Sequence, residues 1–206
     1  MQMSPPNQLT IVRILLTPVF LAFLFVDRLT YNQLALPVFI VASLTDWYDG
    51  WVARKWGYVS RWGKFLDPLA DKVLTSAAFI SFIYLNLAPA WMVWIIVVRD
   101  ILITILRSLA EYKGRPVVTS GPARTKTFSQ FVVIFYILIL HTLQITPSIY
   151  QQYRGSIDFL LNHDLLYLLM FVVTAFTTWT GVTYLIDNRK TLIELYASVV
   201  RATQSP

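Results

Sequence analysis

Asp46, Asp49, Asp67 and Asp71 are four of the eleven acidic residues in a chain of 206 that is 56% hydrophobic. They fall in two blocks, D-W-Y-D-G-W-V-A-R from Asp46 and G-K-F-L-D-P-L-A-D from Gly63, with eight residues between them. A carboxylate inside a membrane helix costs about 2.5–3.5 kcal/mol at the centre, and four together repel one another. Something must compensate. On a helix, the i,i+3 pair Asp46 and Asp49 lies about 60° apart and the i,i+4 pair Asp67 and Asp71 about 40° apart. Each pair therefore faces one way. A short turn between two such helices makes them antiparallel neighbours and brings four negative charges around one small volume, which two divalent cations would balance. The ligands are oxygen only, which suits Mg2+ or Mn2+ over zinc. Two such ions side by side are a recurrent device for displacement at phosphorus. Gly50, Ala53 and Gly63 leave room for close backbone approach. Simpler roles exist for single residues: Asp67-Pro68 also reads as a helix N-cap followed by proline, and Asp46 or Asp49 could pair with Arg54.

The elements that must position these groups follow from composition. Charged residues make up 14% of the chain, against about 25% for a soluble domain. Several apolar runs approach the roughly 20 residues that cross a bilayer. The expected class is an all-α integral membrane protein, one domain over residues 1–206 with six transmembrane helices. The spans are Leu9 to Val26, Leu34 to Lys55, Trp62 to Leu85, Ala90 to Tyr112, Thr127 to Leu143 and Leu165 to Ile186. Lys113 to Lys126 reads as a basic loop, and Thr146 to Asp164 as a polar loop or short interfacial helix. Met1 to Gln8 carries no Lys or Arg, so the first run is expected to be a permanent helix and not a cleavable signal. With six spans, one side holds Arg54, Lys55, Arg61, Lys64, Lys113, Arg115, Arg124, Lys126, Arg189, Lys190 and Arg201. The other holds Arg28 and Arg154. Positive charge marks the cytoplasmic face. The expectation is a multi-pass protein of the cytoplasmic (inner) membrane with both termini inside and the active site at the cytoplasmic ends of helices two and three. The absence of cysteine removes disulfides, thiolate metal sites and Cys nucleophiles.

At the aspartates the sequence resembles the CDP-alcohol phosphatidyltransferase family, whose signature is D-x-x-D-G-x-x-A-R-x8-G-x-x-x-D-x-x-x-D. Asp46, Asp49, Gly50, Ala53, Arg54, Gly63, Asp67 and Asp71 match every fixed position. The opening P-N-Q-L-T-I-V-R (Pro6 to Arg13), the R-D-x6-R run at Arg99, Asp100 and Arg107, and Lys126, Thr127 and Gln130 are similar to the branch that makes phosphatidylglycerophosphate. The segment departs from that branch at Arg124, which stands for a lysine, and at Pro122-Ala123. The resemblance implies transfer of a phosphatidyl group from the lipid substrate CDP-diacylglycerol to a small-molecule acceptor, with release of CMP. It implies that Asp46, Asp49, Asp67 and Asp71 bind the metals, and that Asp71 is also the general base. Asn7, Thr10, Gly50, Arg54 and Ser60 would hold the CDP-lipid. Arg107, Arg115, Arg124 and Lys126 would hold the phosphate of an acceptor such as glycerol 3-phosphate; Arg107 lies deepest in its helix. Members are commonly homodimers, though no feature here marks an interface, and nucleic acid is not an expected partner.

Four alternatives stay open. Inositol phosphate or serine could replace glycerol 3-phosphate, and basic loops mark the inner face whether or not they bind substrate. Arg99 and Asp100 could form an internal ion pair. A divalent-cation transporter would also use buried carboxylates, but beyond Asp71 the third span reads K-V-L-T-S-A-A-F-I-S-F-I-Y-L with nothing acidic left.

Overall fold

The structure, a computed structural model, describes residues 5–26, 28–56, 63–112, 114 and 122–194, with side chains throughout except at 5–9, 46–47, 49–56, 63–68 and 122–124. The described elements are helices: α1 Pro5–Phe25, α2 Leu29–Asn32, α3 Ala35–Trp56, α4 Gly63–Tyr84, α5 Ala90–Tyr112, α6 Pro122–Ile145, α7 Pro147–Leu160 and α8 His163–Asp187. The expected spans lie inside α1, α3, α4, α5, α6 and α8 to within a few residues.

One boundary corrects the sequence reading, and one open alternative is resolved in favour of a helix. Helix α6 starts at Pro122, so Arg124 and Lys126 are helical and do not belong to a loop. Proline in a first turn gives up only an N–H that has no helical partner there. The stretch after Thr146 is a helix, α7, begun by Pro147, with a break in helical geometry at Tyr153. Beyond α8, residues 189–194 are helical.

Each long helix buries one stripe, and the stripes change character along their length. On α1 the buried positions run Thr10, Arg13, Thr17, Phe20 and Leu24, a 3-4 spacing that keeps one face inward. On α5 they run Met92, Val93, Ile96, Val97, Asp100, Thr104 and Ser108. On α6, Lys126 and Gln130 precede Val133, Ile134 and Ile137, and on α8 Leu166 and Met170 precede Thr177 and Thr180. One half of the bundle is thus an apolar core, anchored by Phe20 against Phe39 and Phe39 against Phe135. The other half, toward the α3–α4 connection, is polar inside. Helix α1 packs on both α3 and α4, α5 packs on α4 and α8, and α6 packs on α8.

Outward faces are apolar. Leu15, Val98, Leu168, Val172 and Trp179 are each more than half exposed, which suits lipid better than water. Thr125–Ile145 and His163–Asp187 are long and apolar enough to cross a membrane.

The turn between α4 and α5 depends on Asn86, whose φ of 57° lies in the left-handed region. Its N–H bonds to the Ile83 carbonyl at 3.0 Å, and the Leu87 N–H bonds to that of Phe82 at 2.9 Å, closing the end of α4. Asn tolerates this conformation and β-branched residues do not. Asn86→Val is expected to lose about 1–2 kcal/mol of stability, read as a lower unfolding midpoint in detergent, and Asn86→Gly to lose none. Equal midpoints for Val and wild type would contradict it.

Candidate active site

The polar half of the bundle is built by neighbouring turns of four helices. Asp71 and Lys72 come from α4, Arg99 and Asp100 from α5, Lys126 and Gln130 from α6, and Thr177 and Thr180 from α8. Asp100 is the hub. Its carboxylate is 4% exposed, and three cations meet it. Lys126 Nζ donates to Asp100 Oδ1. Arg99 Nη1 lies 3.2 Å from the same oxygen, and Lys72 Nζ lies 3.5 Å from Oδ2. Lys72 Nζ is also 3.5 Å from Asp71 Oδ2. The result is a chain of alternating charge, Asp71–Lys72–Asp100–Lys126, running from α4 through α5 to α6. Beyond it, Arg99 Nη2 donates to Thr180 Oγ1 at 3.1 Å, and Gln130 Nε2 to Thr177 Oγ1 at 3.4 Å.

Among the described residues, three cations face two carboxylates in this cluster. In a low-dielectric interior such a surplus is costly unless an anion comes close. Asp71 adds a second asymmetry. Its Oδ2 faces Lys72, while Oδ1 is buried and has no hydrogen-bond partner among the described residues. An ionised carboxylate offers about four acceptor sites, and a buried oxygen without a donor is destabilising. A hard cation or a substrate hydroxyl would satisfy it. The oxygen-only donor set of the Asp46–Asp71 stretch and this orphaned Oδ1 both fit Mg2+ or Mn2+.

The other expected site residues are distributed as follows. Asp46, Asp49, Gly50 and Arg54 lie on α3, and Asp67 on α4 four residues before Asp71; their side chains lie outside those described. Because α4 starts at Gly63, Asp67 is in its second turn, and the N-cap alternative for Asp67-Pro68 falls. Thr10 is buried on α1. Asn7 is on α1 and Arg124 on α6, again without described side chains. Ser60 and Arg115 lie outside the described residues. Arg107 is less enclosed than its place in the span suggests: it is 46% exposed and pairs with Glu111 one turn on, at 2.9 Å. Lys126, which the sequence placed at a loop end, is almost wholly buried.

Sequence reasoning missed Lys72 as the bridge between Asp71 and Asp100, and it left Arg99–Asp100 as an isolated pair. The signal was present: a lysine and an aspartate inside apolar runs each need a partner. Arg13 was noted without a role. It is fully buried on the helix that packs against both carboxylate-bearing helices, and the Thr17 hydroxyl donates to its carbonyl at 3.0 Å.

Comparison with known proteins adds an independent line. The family model described as CDP-alcohol phosphatidyltransferase matches residues 3–179. A protein of Bacillus subtilis named CDP-diacylglycerol–glycerol-3-phosphate 3-phosphatidyltransferase is 41% identical over 150 residues, 67% of this chain and 77% of that one. The Escherichia coli K12 protein of the same name is 32% identical over 201 residues, covering 94% of this chain and 100% of its own. That of Salmonella typhimurium is 30% identical over 200 residues with the same coverage.

Proposed function

The chain belongs to the CDP-alcohol phosphatidyltransferase family, and from that premise we propose that it transfers the phosphatidyl group of CDP-diacylglycerol to sn-glycerol 3-phosphate. The products are phosphatidylglycerophosphate and CMP. Relatives named for this reaction align along most of the chain. The observation that carries the residue assignment is the Asp71 carboxylate, held on one oxygen by Lys72 and bare on the other, beside a buried cation cluster.

Asp71 takes the proton of the acceptor hydroxyl. The freed oxygen attacks the lipid-side phosphorus, the bond from that phosphorus to the CMP phosphate breaks, and CMP leaves with the electron pair. Lys72 holds Oδ2 of the Asp71 carboxylate and leaves Oδ1 for the acceptor. Lys126, of whose three donors Asp100 takes one, binds the acceptor phosphate with Arg107, Arg115 and Arg124. Asn7, Thr10, Gly50, Arg54 and Ser60 receive the CDP moiety. Asp46, Asp49, Asp67 and Asp71 would hold two Mg2+ or Mn2+ ions, which when bound stabilise charge on the pyrophosphate oxygens.

Six helices, α1, α3, α4, α5, α6 and α8, cross the inner membrane in this reading, with both termini and the polar half of the bundle on the cytoplasmic side. The excess of Lys and Arg on that side supports the orientation. The surplus of cations around Asp100 among the described residues favours a phosphorylated acceptor over serine, since a dianion suits it.

Purified protein given CDP-diacylglycerol, Mg2+ or Mn2+ and one acceptor at a time is expected to release CMP fastest with glycerol 3-phosphate. Chelation by EDTA should stop release. Faster turnover with inositol phosphate or serine would reassign the acceptor, and release undiminished by EDTA would remove the metals from the reaction.

A further inference from the structure

Helix α8 lies outside every signature block, yet it touches the charged hub at Thr180 and Gly181. Arg99 follows the rotation of α5, about 100° from Asp100, so its side chain starts away from the carboxylate and lies against α8 as it reaches it. It passes Gly181. A Cβ there would lie 2.8 Å from Arg99 Nε and 3.0 Å from Arg99 Cγ. Both atoms sit in the middle of the side chain, so even a methyl group would displace the guanidinium. One residue earlier, Thr180 Oγ1 accepts from Arg99 Nη2 at 3.1 Å while Nη1 reaches Asp100 Oδ1 at 3.2 Å. The guanidinium is therefore fixed by a hydroxyl on one side and by the carboxylate on the other. That same carboxylate oxygen receives Lys126.

We propose that Gly181 and Thr180 are positioning residues for the acceptor. They seat Arg99, Arg99 orients the Asp100 carboxylate, and Asp100 presents the Lys126 ammonium to the acceptor phosphate. The inference rests on the function proposed above and assigns α8 a share in acceptor binding. Neither residue touches substrate. The ligand chemistry read through this relay is a phosphate monoester dianion, and the CDP-lipid is not read by it.

The test is steady-state kinetics of the full chain in detergent–lipid micelles, with both substrates varied. Gly181→Ala should raise the KM for glycerol 3-phosphate about tenfold, the scale of one lost hydrogen bond to a charged group. The KM for CDP-diacylglycerol and kcat should stay within about twofold. Thr180→Val keeps the side-chain shape, guards against a misfolded glycine variant, and should shift the same KM in the same direction, by about threefold. Arg99→Ala should raise that KM as well, and Gly181→Ala added to it should change nothing further, because residues acting through one partner are not additive. Equal effects on both KM values, additive effects in the double variant, or a wild-type KM in both Gly181→Ala and Thr180→Val would each overturn the relay. Wild-type protein that releases no CMP with glycerol 3-phosphate would instead overturn the proposed reaction, and the relay with it.

Discussion

Asp71→Asn should lower kcat by about a thousandfold, within the range removed with a general base, while CDP-diacylglycerol still binds. The amide keeps the shape of the side chain and one carbonyl oxygen. It cannot take a proton from the acceptor hydroxyl, and it no longer offers Lys72 the charge that lies 3.5 Å from Lys72 Nζ. Turnover and binding are separable: CMP release reports the first, and equilibrium binding of labelled CDP-diacylglycerol to the purified variant reports the second. Lys72→Met serves as the companion. It leaves Asp71 able to act but unrestrained, and should cost about tenfold in kcat. Near-normal turnover in Asp71→Asn would move the base elsewhere. Loss of binding along with turnover would make Asp71 a structural or ligand-holding residue first.

The second large effect concerns stability. Asp100→Asn leaves Lys72, Lys126 and Arg99 facing one another without the carboxylate that each now meets. Removing one partner of a buried ion pair costs about 3–5 kcal/mol, because the remaining charge stays desolvated. A drop of that size should appear as a strongly lowered unfolding midpoint in detergent. Adding Lys126→Met to Asp100→Asn removes one of the stranded charges and should recover part of the loss. The sign of that recovery separates electrostatics from packing. If Asp100 acted only by filling space, the second substitution would destabilise further.

The sequence revealed the helices well and the charge network poorly, for different physical reasons. Long apolar runs with turn residues between them leave little freedom: Ala90 to Tyr112 is the observed α5, and Leu34 to Lys55 is within a residue of α3. The start of α6 was missed because Arg124 and Lys126 read as loop charges, and only the buried carboxylate of Asp100 makes a lysine tolerable in a helix interior. Helix α7 was ambiguous because its residues are too polar for a span and its role depends on what it packs against, here α6. Among site residues, the spacing of the four aspartates was legible since it is local to each helix. The Asp71–Lys72–Asp100–Lys126 chain was not, because it joins positions 54 residues apart between Lys72 and Lys126, and no pattern in one helix announces its partner in another.

The bridge from Arg99 to Thr180 joins residues 81 positions apart, and this bears on biogenesis. When α5 emerges, Lys72 has already been made and can neutralise Asp100, but the seat for Arg99 is still unsynthesised. The guanidinium must wait in a provisional arrangement until the last helix arrives. A chain stopped before Thr180 would therefore retain its carboxylate blocks and the Arg99–Asp100 contact but lack the hydroxyl that takes Arg99 Nη2.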